Sequence, residues 1–229
     1  MSAGAERRGF DDAAPHDRKF YPAMATVIAV LVFAGFTPSF YARDWTGAPL
    51  AGAAMLHGVA GTLFVLMFVV QSWLIAAARE TLHRKLGVVG AAVAAAFVLT
   101  GIAVTVRLEQ AHVGESARVL AAHVWTNAAP LVAFALLIAG GVWQRNVPAR
   151  HKRLMLLAAV VLLPPATGRL FGPLELAWLN LPVYICAAAA NSAYDVATRG
   201  RPHALSVWPA AALVAIDVAT TWWLAAVGS

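Results

Sequence analysis

The chain has 229 residues, of which 61% are hydrophobic and only 12% charged, with a mean hydropathy of +0.71. Soluble domains carry about 25% charged residues, so a soluble globule is excluded: one core of this size would strand apolar side chains at its surface. The net charge of +6 reads as basic loops beside a lipid bilayer rather than a nucleic-acid surface, and the single cysteine, Cys186, excludes an internal disulfide, a CxxCH haem attachment and a cysteine-built zinc or iron–sulfur site.

In chain order, residues 1–20 mix both charge signs and are expected to form a flexible cytosolic tail before a single polytopic membrane domain, 21–229. Apolar segments follow at about 22–42, 50–78, 85–106, 119–143, 154–171, 177–197 and 207–227. A crossing needs about 20 apolar residues, so the expected fold is an all-α integral membrane bundle of about seven transmembrane helices. Six is the fallback count, because the fifth segment is the shortest and the seventh starts at Pro209. Ala, Leu and Val runs without alternation exclude an outer-membrane barrel. Pro38 and the Pro164-Pro165 pair should bend the first and fifth helices. With the N-terminus inside, 13 of the 17 basic residues fall on the inner side. The positive-inside rule therefore makes the N-terminus cytosolic, and the C-terminus periplasmic if seven helices cross.

An internal repeat is expected over about 50–106 and 119–171. Each unit has a His in an outer half-helix and a second His in a short basic turn: His57 with His83, and His123 with His151. The separations are 26 and 28 residues, roughly 40 Å along a helix, or one bilayer with its margins. The duplicated hairpin would form a four-helix core, with the first, sixth and seventh helices peripheral. Paired histidines at each face suit non-covalent haem b, because imidazole is a good axial ligand and bundles hold macrocycles between facing side chains. His57 with His123 would hold an outer haem, and His83 with His151 an inner one.

A second constellation uses the same face. His57, His112 and His123 with Glu115 suit zinc, copper or non-haem iron. Elsewhere, Asp217 falls mid-membrane, where an Asp costs about 2.5–3.5 kcal/mol and should find polar partners such as Asn127, Asn191 or Gln71. Those four residues could form a proton or polar relay. Asp195 and Arg199, four residues apart, read as a structural ion pair.

The strings His57-Gly58, Gln71-Ser72-Trp73-Leu74, Leu82-His83-Arg84-Lys85-Leu86-Gly87, His151-Lys152-Arg153-Leu154-Met155 and Tyr194-Asp195-Val196-Ala197-Thr198-Arg199-Gly200-Arg201-Pro202-His203 resemble a bacterial family of uncharacterised multipass membrane proteins, over residues 36–205. That resemblance implies a bacterial inner-membrane setting and supplies no reaction. The histidine layout over 50–171 also resembles the diheme transmembrane b-type cytochromes, which implies haem b and an electron donor and acceptor. It departs from them in placing His83 and His151 among Arg and Lys at helix starts. Two other function classes stay open: a cofactor-free transporter or sensor built on Asp217, and a structural subunit of a membrane complex. No Walker loop, Rossmann glycine pattern, nucleophile elbow or HExxH helix occurs.

Overall fold

The computed structural model describes residues 16–43, 52–111 and 116–228. These residues are helical: α1 Asp17–Phe36, α2 Gly52–Ala76, α3 Glu80–Ala111, α4 Ala117–Trp143, α5 Pro148–Val160, α6 Leu163–Phe171, α7 Asn180–Arg199 and α8 Ala204–Gly228. Among the described residues, six spans are long and apolar enough to cross a membrane, by length and composition. The chain therefore has the makings of a multipass membrane protein. The remaining long helix, α7, is not one of the six; Asn180, Asn191, Asp195 and Arg199 dilute its apolar run.

Prolines punctuate the bundle as their chemistry requires. Pro38 sits in a π-helical turn, Thr37–Tyr41, that extends α1. The Pro164-Pro165 pair falls in the first turn of α6, where a missing N–H costs nothing, and the chain breaks between Val160 and Leu163. Helix α1 starts at Asp17, inside the segment assigned to a tail, and Asp17 itself is buried. Residues 1–15 lie outside the described part.

Consecutive helices α2, α3, α4 and α5 pack side by side. Contrary to the peripheral position expected for the first helix, α1 packs against α2, α5 and α6 and contributes Ala25, Ile28 and Val32 to the core. The reason lies in the α5–α6 span. It is 61% buried, against 11–28% for the other five, so it needs cover on the side turned away from α4. Helix α1 gives that cover on one flank, and α7 and α8 on the other.

Close approach of α1 to α6 depends on Gly35. A Cβ at that position would overlap the Ala166 backbone carbonyl, and a main-chain atom cannot swing aside as a side chain can. Gly35→Ala should therefore destabilise the fold by about 1–3 kcal/mol, the usual cost of overpacking. A lowered thermal midpoint in detergent checks this, and an unchanged midpoint would contradict it.

Helical periodicity places His57 and His83 on interior stripes of their helices. On α2 one stripe runs His57, Gly61, Phe64, Phe68, Gln71; on α3 it runs His83, Gly87, Gly90, Ala94, Phe97. On α4 the stripe is Asn127, Pro130, Phe134. Phe64, Phe97 and Phe134 meet midway, with ring centroids 4.9 Å apart for Phe64–Phe134 and 5.0 Å for Phe97–Phe134. Phe134 is wholly buried and Phe64 nearly so. The middle of the bundle is an aromatic plug.

Candidate functional site

His83 and His151 occupy equivalent places in two hairpins. Each lies in the first turn of its helix, α3 or α5. Each donates from Nδ1 to a carbonyl near the end of the preceding helix: His83 to Gln71 at 3.3 Å, His151 to Gly141 at 2.8 Å. These bonds fix the tautomer and ring direction, leaving Nε2 as the free imidazole nitrogen. The two rings face each other across the α3–α5 gap with centroids 6.1 Å apart and planes at 84°. Two imidazoles bound to one metal from opposite sides, at about 2.0–2.1 Å per nitrogen, have centres roughly 6 Å apart. The separation of the His83 and His151 rings is of that size.

Small residues give the pair its surroundings. A Cβ on Gly87, one turn after His83, would meet open space. A Cβ on Gly141 would press on the Met155 sulfur at 2.8 Å, so that glycine lets α4 and α5 approach beside His151.

At the other end of α2, His57 follows the same rule. Its Nδ1 lies 3.2 Å from the Phe97 carbonyl and 3.3 Å from the Thr100 hydroxyl, and its ring stacks on Phe97 at 4.3 Å. Nδ1 is again occupied and Nε2 is again left over. The side chain of His123, and residues His112 and Glu115, lie outside the described part. Among the described residues no group of three or more His, Cys, Asp or Glu could hold a metal ion.

The proposed polar relay residues lie in separate places. Asn191 is buried on α7, accepting from the Tyr21 hydroxyl at 3.2 Å and donating to the Arg153 carbonyl at 3.2 Å. Gln71 sits at the His83 end of α2 through its carbonyl, and Asn127 on the α4 stripe. Asp217, half-buried on α8, lies near Tyr184 of α7. No hydrogen bond joins Asp217 to Asn191 or Gln71 among the described residues.

The sequence reading missed an ion network on the back of α5. Arg153, read as part of a basic turn, is wholly buried and makes a bidentate pair with Asp195, with its Nε 3.0 Å from Oδ2. It also donates to the Ala149 carbonyl. Asp195 further accepts from the Ser206 hydroxyl at 2.6 Å, the His203 backbone N–H at 3.2 Å and Arg199 at 3.3 Å. The expected Asp195–Arg199 pair is thus present as one edge of a larger cluster. Asp17 joins it, accepting from Lys152 at 2.5 Å, Tyr194 at 2.8 Å and Arg199 at 3.3 Å. A buried carboxylate is tolerable only when its lone pairs are filled in this way. The signal was available in the sequence: Ala149, Arg153, Leu156 and Val160 share one helical face, and the other three are plainly apolar.

Helix α5 therefore has two working faces. His151 looks toward His83, while Lys152 and Arg153 clasp α1, α7 and α8. Comparisons of the chain with protein-family models, curated proteins and solved structures give no match.

Proposed function

We propose that the chain is a bacterial inner-membrane electron carrier that holds haem b through paired histidines. The observation that carries this reading is the His83–His151 pair, 6.1 Å between ring centres, each ring steered by a backbone carbonyl at Nδ1. Haem b, when bound, supplies a one-electron couple, and bundle proteins tune it by ligation, burial and spacing.

In this reading His83 and His151 would hold one haem, and the Gln71 and Gly141 carbonyls steer their rings. His57 belongs to a second site at the other end, with His123 as its partner. The hairpins α2–α3 and α4–α5 are then two copies of one unit, each setting a helix-start histidine against a carbonyl of the preceding helix. The loops at the His83 and His151 end carry Arg79, Arg84, Lys85, Arg145 and Arg150, which supports a cytosolic position for that end. Against a solute path through α2–α4 stands the Phe64, Phe97 and Phe134 plug. Electrons need no aqueous channel, and solutes do.

A reduced-minus-oxidised visible spectrum of the purified protein, with pyridine haemochrome quantitation, tests the reading. Two haems b per chain are expected. A colourless protein after expression with ample haem would overturn it.

A further inference from the structure

Arg169 stands in the last turn of α6, near the Leu174 end of the span that begins at Pro148, and so at the end of the bundle remote from His83 and His151. It is exposed, yet fixed from two sides. Its guanidinium lies over the Phe36 ring of α1, 4.8 Å from the centroid, and its Nη1 donates to the Pro165 carbonyl at 2.7 Å. Among the described residues no carboxylate pairs with it, and Glu175, the nearest acid in sequence, is not a partner. Among those residues only one of its five N–H groups meets an acceptor. An arginine held against an aromatic ring with most of its fork open is preorganised for a phosphate.

The chain that follows suits lipid better than water. Gly172 to Trp178 are all exposed, with 60% of Leu174 and 68% of Trp178 uncovered and Leu176 exposed between them. Its backbone is nonetheless bonded locally. The Glu175 N–H donates to the Gly172 carbonyl at 3.1 Å, Leu176 to Phe171 at 3.0 Å and Leu179 to Leu176 at 2.9 Å. Backbone that enters the edge of hydrocarbon must have its polar groups met in this way. Tryptophan, an apolar ring with one N–H, favours the same level of a bilayer.

We propose that Arg169 and the Gly172–Leu179 turn form a phospholipid site. The guanidinium takes the headgroup phosphate through charge-assisted hydrogen bonds, and Leu174, Leu176 and Trp178 lie against the acyl chains. An anchored cation beside an apolar shelf matches the anionic head and apolar tail of such a lipid. This site stands apart from the histidines and does not need the haem reading.

The test is native mass spectrometry of the full-length protein titrated with dioleoyl phosphatidylglycerol, dioleoylglycerol and inorganic phosphate. Wild type should bind phosphatidylglycerol saturably and more tightly than dioleoylglycerol, which lacks the phosphate. Arg169→Gln should weaken phosphatidylglycerol about tenfold, the scale of one lost hydrogen bond to a charged group, and leave dioleoylglycerol unchanged. The loop variant Leu174→Ser, Trp178→Ser should weaken both lipids, and its fold is safe because both side chains are exposed. Wild-type affinity for phosphatidylglycerol in Arg169→Gln would overturn the proposal. So would displacement of the lipid by equimolar inorganic phosphate, which marks a free-anion site, or unchanged lipid binding in the loop variant. If Arg169→Gln does not accumulate, the loop variant and the wild-type preference for phosphatidylglycerol over dioleoylglycerol decide.

Discussion

His83→Ala and His151→Ala should each remove the low-spin signature of one haem, halving the reduced-minus-oxidised α-band, and the double variant should lose no more than either single. The non-additivity is the point. Two ligands of one iron act as a unit, so losing the second adds nothing once the first is gone. The expectation follows from the proposed sharing of one haem by the two rings, 6.1 Å apart. Neither substitution touches the Gln71 or Gly141 carbonyl, both of which are main chain, so the helices can keep their register. Full haem content in both single variants would show that the pair is not a ligand set. Additive losses would show that the two histidines serve different centres.

Arg153→Met should lower stability by about 3–5 kcal/mol, the usual result of stranding one member of a buried ion pair. Asp195 would keep Ser206, Arg199 and the His203 N–H, yet lose the fully buried guanidinium that pairs with it. Asp195→Leu should cost about as much, by the same argument reversed. The double variant Arg153→Met, Asp195→Leu should recover most of the loss, since replacing a buried pair by apolar residues is often neutral or better. Unfolding midpoints of the four proteins in one detergent give the double-mutant cycle. A double variant as unstable as the sum of the singles would mean that the two residues act independently, each through its other partners, and not as a pair.

The membrane-spanning segments were legible because hydropathy is a local property. Six of the seven predicted runs overlap a qualifying span, 177–197 being the exception, and the Pro164-Pro165 break fell where the ring chemistry puts it. What escaped was pairing over distance. Arg150-His151-Lys152-Arg153 reads as a loop in one dimension, since the carboxylate that neutralises Arg153 comes 42 residues later. Asp17 looked like tail for the same reason, with Lys152 135 residues away. The anchoring of His83 and His151 was hidden in another way, because their partners are backbone carbonyls and any residue carries one. The first helix was misplaced because sequence order says nothing about which span is most enclosed. Gln71 could be flagged as an intramembrane amide, but not as the residue behind His83.

The distance along the chain between Arg153 and Asp195 also has a meaning in time. At about 5–20 residues per second of synthesis, Arg153 is made roughly 2–8 s before the carboxylate that receives it. Until then a bare guanidinium on α5 has no place in hydrocarbon, and it waits at the headgroups or in the insertion machinery. The Arg153 guanidinium gains its carboxylate only after α7 has emerged, and Ser206 on α8 later still. Burial of Arg153 is therefore a late event in the biogenesis of this protein, and a ribosome stalled before Asp195 leaves a chain that cannot complete it.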